Sequence, residues 1–95
     1  MISIQINHTG AVADEVRQNL ELLYGSRAGT AALDREFGLS QEWLDMPTEI
    51  AKAMISSEII EKTRKYEPRA EISSIDFTVT DGKINPKVVI ELVAD

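Results

Sequence analysis

The last quarter of the sequence contains two alternating runs joined by a tight turn, and this pattern constrains the fold most strongly. Residues 70–80 and 83–93 alternate apolar and polar side chains, and Asp81-Gly82 between them can adopt the positive φ angles of a two-residue hairpin loop. The alternation in the first run changes phase at Ser73-Ser74, which predicts a β-bulge. These residues therefore predict an antiparallel β-hairpin.

Two helical patterns precede the hairpin. Apolar side chains recur every three or four residues from Ala11 to Tyr24, which predicts an amphipathic helix that ends at Gly25. A second helix is predicted from near Pro47 to about Tyr66, because a proline in the first turn loses no helical hydrogen bond. Its apolar residues spread around much of the helix surface. We therefore expect cover from the sheet and the first helix, or partly from another chain.

The remaining segments complete the predicted fold. The isoleucines of residues 2–6 alternate with polar residues and predict a half-buried strand. Residues 25–46 show no long period, and we expect apolar side chains to hold this segment against the core, with a short helical turn for which Ser40 is the N-cap. Those side chains are Leu33, Phe37, Leu39, Trp43 and Leu44. The predicted class is α+β, one small domain over residues 1–95 in the order β-α-irregular-α-β-β. Its antiparallel sheet, with the C-terminal hairpin, packs on two helices.

Composition disfavours several classes of function. The chain has no cysteine and one histidine, which excludes thiolate metal sites and disfavours zinc sites and Ser-His-Asp triads. Its net charge of −6 would repel a nucleic acid. No apolar run is long enough to span a membrane, and the first residues lack the basic start and apolar block of a signal peptide, so a cytoplasmic setting is expected. We predict no cofactor, no metal and no small-molecule substrate.

Acidic residues are the main candidates for catalysis. A glycan hydrolase needs two carboxylates facing a sugar cleft, and Asp34, Glu36, Glu42 and Asp45 could supply them. However, sixteen acidic residues in 95 make close pairs unavoidable, so a solvated acidic surface is favoured. Residues 25–30 contain two glycines but lack the lysine of a phosphate-binding loop. Trp43 could anchor an interface, although a lone tryptophan is more often part of the core.

Two features favour a protein partner. Pro68 ends the second helix, and Glu67 and Arg69 on either side of it point to the same side of an extended chain. They form either a surface ion pair or a partner contact in which Glu67 orients the Arg69 guanidinium. The last strand is the second feature, because an exposed strand edge can add a partner strand and only Pro86 and Lys87 would protect it.

The sequence resembles the baseplate wedge family of contractile phage tails. The resemblance rests on Val16–Leu39, which contains Arg-Gln-Asn-Leu, a glycine-containing turn and Asp-Arg-Glu-Phe-Gly, and on Tyr66–Ile72, which contains Glu-Pro-Arg. The same family includes the sheath-initiating baseplate subunit of type VI secretion systems. Its members combine these motifs with a long helix and a C-terminal β-hairpin, and the resemblance covers about four-fifths of the chain in order.

The resemblance implies a structural role without catalysis. Glu67, Pro68 and Arg69 would dock on other baseplate wedge proteins, and residues 84–93 would pair with strands of the tail sheath protein to seed its polymerisation. The implied partner-binding residues of this edge are Ile84, Val88, Val89 and Ile90. The implied locations are the bacterial cytoplasm during assembly and then the tail baseplate of the virion. Relatives sometimes carry a lysozyme-like label, for which this sequence offers no specific acid pair.

Two other functions remain as alternatives. The first is a cytoplasmic regulator that uses the same fold to bind and block an adaptor protein, as a stress-response anti-adaptor resembling this family does. The second is a small glycan hydrolase that depends on Asp34 or Glu36.

Overall fold

The computed structural model describes residues 2–29 and 35–93. In chain order the elements are strand β1 (Ser3–Ile6), helix α1 (Ala11–Gly25), a short 3₁₀ helix (Glu42–Asp45), helix α2 (Thr48–Tyr66), strand β2 (Ala70–Thr80) and strand β3 (Lys83–Leu92). The predicted α+β class and element order are confirmed. None of the described helices is long and apolar enough to cross a membrane.

The hairpin forms as the local sequence predicts. Asp81 and Gly82 have φ angles of 53° and 76°, which the two central residues of a tight hairpin turn require. The register of β2 against β3 shifts between Ile72 and Ser74, so the predicted bulge is confirmed. The shift lets Ile72 and Ile75 face the same side of the sheet although they are an odd number of residues apart.

The sheet is mixed, which corrects the predicted antiparallel arrangement. Its strand order is β1-β3-β2, and β1 runs parallel to β3 with Ser3 opposite Lys87 and Ile6 opposite Ile90. The alternation of a strand specifies which side chains face the core, but it does not specify the neighbouring strand or its direction. The two helices and β2 provide the long crossover connection that a parallel pair needs.

Both helices pack on one face of this sheet. Because the buried side chains of α1 recur every three or four residues, they form one stripe toward the sheet, and those of α2 recur at every fourth residue. The resulting core contains Ile6, Ala13, Val16, Leu20, Leu23, Tyr24, Leu39, Ile55, Ile59, Ala70, Val88 and Ile90. Ile50 and Ala53 on the opposite side of α2 remain exposed, so that side has no cover within the described residues.

The segment between the helices is attached to the core through Leu39. Leu39 is buried, and its backbone pairs with residues 26–28, where its N–H donates to the Ser26 carbonyl at 2.9 Å. Gly38 allows this close approach, because a Cβ there would lie 2.6 Å from the Ser26 oxygen. Leu44 is 70% exposed, so its expected burial is wrong. Leu33 lies outside the described residues.

Ser40 is not the N-cap that the sequence predicts. Gln41 precedes the 3₁₀ helix in a left-handed conformation and occupies the cap position. The Ser40 hydroxyl donates to the Glu58 carboxylate at 2.7 Å, and the Ser40 backbone N–H donates to the same group. The hydroxyl oxygen also accepts a long hydrogen bond of 3.5 Å from the backbone N–H of Glu42, the first residue of the 3₁₀ helix. The Ser40 hydroxyl hydrogen therefore binds an acceptor on α2, a long-range contact that the local sequence pattern does not predict.

Candidate partner-binding surfaces

The Glu-Pro-Arg motif folds into a fixed ion pair where α2 ends. Glu67 closes the helix by donating its backbone N–H to the Thr63 carbonyl at 2.8 Å. Its carboxylate then accepts two hydrogen bonds from Arg69, from Nε at 2.8 Å and from Nη2 at 3.0 Å. This two-point contact between a planar guanidinium and a carboxylate fixes the orientation of both groups.

Asn19 of α1 completes the surroundings of the Glu67 carboxylate. Its side-chain amide donates to Glu67 Oε2 at 2.9 Å. Only 3% of Glu67 is exposed, so this acid depends on its internal partners for hydrogen bonding. The hydrogen bonds from Arg69, with a smaller contribution from Asn19, lower the pKa of Glu67 below its usual value and keep the group ionised.

Arg69 and Pro68 form the accessible part of this motif. The Arg69 side chain is 36% exposed, and its remaining terminal nitrogen, Nη1, lies 3.5 Å from the exposed carboxylate of Glu15. Pro68 is exposed beside it. Glu67 therefore orients Arg69 from within the domain, while Arg69 and Pro68 remain available to a partner at this end of α2.

The residues predicted to form an open edge on β3 lie in different environments. Since β3 is the central strand, residues 87–90 are paired with β1 as well as β2, so this part of the predicted edge at residues 84–93 is not open. Val88 and Ile90 are fully buried under the helices. Val89 is half-buried on the opposite face of the sheet. Partner binding by these residues stays a prediction.

Ile84 belongs to a groove beside the hairpin turn. The groove has a volume of about 600 Å³ and lies between the sheet, the end of α1 and the 3₁₀ helix. Its apolar lining includes Ile4, Trp43, Leu44, Ile84 and Pro86. Trp43 is half-buried and packs against the core, so it serves the core and the groove together.

The outer strand β2 provides the long open edge of the sheet. Its residues 70–80 pair with β3 on one side only. The sequence predicts the open edge on β3, where only Pro86 and Lys87 would protect it. Residues 70–80 contain neither lysine nor proline, the residues that commonly protect an edge strand, so no local signal in the sequence indicates that β2 is the outer strand.

The candidate acids do not form a described pair. Glu36 makes an ion pair with Lys65 of α2, Glu42 and Asp45 are exposed at the 3₁₀ helix, and Asp34 lies outside the described residues. Residues 2–29 and 35–93 contain no group of three or more side chains arranged to hold a metal ion. His8 lies 3.0 Å from Glu91 and connects the turn before α1 to β3.

Comparisons with known proteins show what this fold resembles. Neither the models of protein families nor the curated proteins give a match to the sequence. Among solved structures, a chain in the cryo-electron-microscopy structure of the anti-feeding prophage baseplate, symmetrised sixfold, superposes with a TM-score of 0.78. The two chains are 20% identical, and the match covers 92% of this chain and 73% of the other. The chain therefore shares the fold of a component of that baseplate.

Proposed function

We propose that this chain is a structural, non-enzymatic component of the baseplate of a contractile phage tail or prophage-derived particle. The observation that carries the proposal is the shared fold with a chain of the anti-feeding prophage baseplate, over 92% of the present chain. In this proposal residues 1–95 act as one wedge-like domain. It binds other baseplate proteins and the tail sheath protein, assembles in the bacterial cytoplasm and remains in the tail baseplate.

Docking on the other wedge proteins is assigned to the end of α2. Arg69 and Pro68 are the accessible members of the motif, and Glu67 contributes by holding the guanidinium in one orientation. A planar guanidinium that is already oriented loses less side-chain entropy when it binds a partner. This supports a docking role for Glu67, Pro68 and Arg69, in which only the last two touch the partner.

Seeding of the sheath is assigned to the outer edge of β2. Strand addition needs a row of unpaired backbone groups, and residues 70–80 supply one on the side away from β3. Val88, Val89 and Ile90 then act indirectly, by pairing β3 with both neighbouring strands and holding β2 in place. Ile84 contributes an apolar contact in the groove beside the hairpin turn.

Co-expression with the wedge and sheath proteins of the same particle tests the docking proposal. Arg69→Gln should abolish co-purification with the wedge proteins, whereas Arg64→Gln should not. Arg64 is a matched control because it is also an exposed arginine near the end of α2. Glu67→Gln combined with Arg69→Gln removes both charges together, so no unpaired charge is left buried, and circular dichroism checks its fold. Wild-type co-purification by a folded double variant would overturn the docking assignment.

A further inference from the structure

The outer edge of β2 presents a regular series of unpaired backbone groups. Thr80 and Lys83 flank the two-residue turn, and pairs of an antiparallel ladder alternate between hydrogen-bonded and non-hydrogen-bonded from that point. The N–H and C=O groups of Thr78 and Asp76 therefore face β3. Those of Val79, Phe77 and Ile75 face outward, where no described strand pairs with them.

The side chains of this segment also divide between the two faces. Ile75, Phe77 and Val79 lie on the helix-covered face, where Ile75 and Phe77 are half-buried and Val79 is 50% exposed. Ser74, Asp76, Thr78 and Thr80 are exposed on the other face. The edge thus offers apolar side chains and outward backbone groups from the same residues.

We infer that a second copy of this chain pairs with β2, antiparallel and in a register centred on Phe77. In this register Phe77 lies opposite Phe77 of the second copy, and Ile75 lies opposite Val79 of the second copy. These are the residues whose backbone groups face outward in both copies, so their pairs are hydrogen-bonded, and the pairs of Asp76 with Thr78 between them are not. On the other face Asp76 lies opposite Thr78 of the second copy, and no two like charges are opposed.

The position of α2 makes room for this arrangement. Lys52, in the second turn of α2, lies 6.0 Å from the centre of the Phe77 ring, and the helix continues from there toward the start of β2. With the two-fold axis at Phe77, the two α2 helices extend away from the axis in opposite directions. Their closest approach in this arrangement is therefore at their first turns.

Self-pairing would regulate the proposed function. The dimer covers the same backbone groups that strand addition by the sheath protein would use, so the two states exclude each other. A single strand pair buries less than the roughly 1,600 Å² of a standard interface, so the dimer should be weak and yield to a sheath strand held in place by the baseplate. The free protein would keep its edge covered until assembly.

Sedimentation velocity over a range from about 1 µM to about 1 mM protein measures the dimer. The wild type should change from monomer to dimer across this range. Val79→Lys should remain monomeric, because it places a charge opposite the apolar Ile75 of the second copy. Val12→Lys is the matched control, since Val12 is equally exposed, at 52%, but lies on α1, and it should dimerise like the wild type.

Cysteine cross-linking tests the register. The chain contains no cysteine, so Asp76→Cys and Thr78→Cys each provide a single thiol. Opposed residues of a non-hydrogen-bonded pair have Cα atoms about 4.5 Å apart, within disulfide range. The two variants are mixed, oxidised and analysed by mass spectrometry. Disulfide dimers with one copy of each variant should be at least about tenfold more abundant than dimers with two copies of the same variant.

Two outcomes would overturn the inference: a wild-type monomer at every concentration, or mixed dimers no more abundant than those of a single variant. The self-pairing stands on the geometry of β2 and does not need the baseplate assignment, whereas its regulatory role does. If the wild type dimerises as expected but fails to co-purify with wedge or sheath proteins, only the proposed function fails. If it co-purifies but never dimerises, only the self-pairing fails.

Discussion

The side-chain amide of Asn19 donates a hydrogen bond of 2.9 Å to the carboxylate of Glu67, although 48 residues separate them in the chain. This contact joins α1 to the end of α2 and links the two sequence motifs on which the family resemblance rests. Asn19 lies in Arg17-Gln18-Asn19-Leu20, and Glu67 lies in Glu67-Pro68-Arg69. The two motifs therefore form a single structural unit.

Asn19→Ala should lower the free energy of unfolding by about 1–2 kcal/mol, because it removes a donor from a buried charged acceptor. Urea unfolding followed by circular dichroism measures the change. Gln18→Ala is the control, since Gln18 is exposed on the same helix and its replacement also raises helix propensity, although by less than the replacement of an asparagine. Equal stabilities of the two variants would contradict a structural role for the contact.

Glu67 should make the domain sensitive to acid. Hydrogen bonds from Arg69 lower its folded-state pKa below the usual 4.5, so ionised Glu67 stabilises the folded protein above that pH. This stabilisation is lost as the pH falls from about 4.5 toward the folded-state pKa. Glu67→Gln should be less stable near neutral pH but should show a shallower decline in acid. A wild-type decline in the variant, measured by unfolding at several pH values, would assign the acid sensitivity to other carboxyls.

Gly38→Ala should disrupt the segment between the helices. A Cβ at this position would lie 2.6 Å from the Ser26 carbonyl oxygen, and Gly38 has a φ angle of 106° that other residues rarely adopt. We expect a loss of at least about 2 kcal/mol in the free energy of unfolding. Because Leu39 follows directly, its burial should be lost as well.

Gly25→Ala is the matched control for this substitution. Gly25 is the last residue of α1 and a Cβ there would contact nothing within 4 Å, so alanine should be neutral or stabilising by up to about 1 kcal/mol. Comparable losses in the two variants would show that the backbone approach at Gly38 does not determine stability.

Local features of the fold could be predicted from the sequence because neighbouring residues determine them. The turn at Asp81-Gly82 depends on the φ angles those two residues accept, and the bulge near Ser73 depends on a break in alternation. The contact between Glu67 and Arg69 follows in the same way from a spacing of two residues around a proline.

Long-range pairing could not be predicted in the same way. The pairing of Ser3 with Lys87 depends on how α1 and α2 place β1 after the chain has folded, and the alternation of β1 is compatible with either neighbour and either direction. Because β1 pairs with β3, the open edge lies on β2 and not on β3, and Val88 and Ile90 lie on the central strand in the core. The contribution of Asn19 was missed because no local pattern connects it to Glu67.

Tyr24 should make the domain sensitive to base. Its hydroxyl hydrogen bonds to the Thr63 hydroxyl at 2.6 Å inside the core, and burial raises the pKa of Tyr24 from 10.0 to about 12. Since the folded protein holds this proton more tightly than the unfolded chain, the stability contributed by the neutral group is fully present below about pH 10. It is lost as the pH rises from about 10 to about 12.

Tyr24→Phe separates the titration from the hydrogen bond. The variant should lose about 1–2 kcal/mol at neutral pH, because the buried Thr63 hydroxyl keeps no described side-chain partner. It should also lack the part of the alkaline decline that the wild type owes to Tyr24. Tyr24→Phe combined with Thr63→Val should recover part of the neutral-pH loss, because it removes the unpaired hydroxyl. An alkaline decline unchanged by Tyr24→Phe, measured by unfolding between about pH 9 and 12, would contradict the assignment.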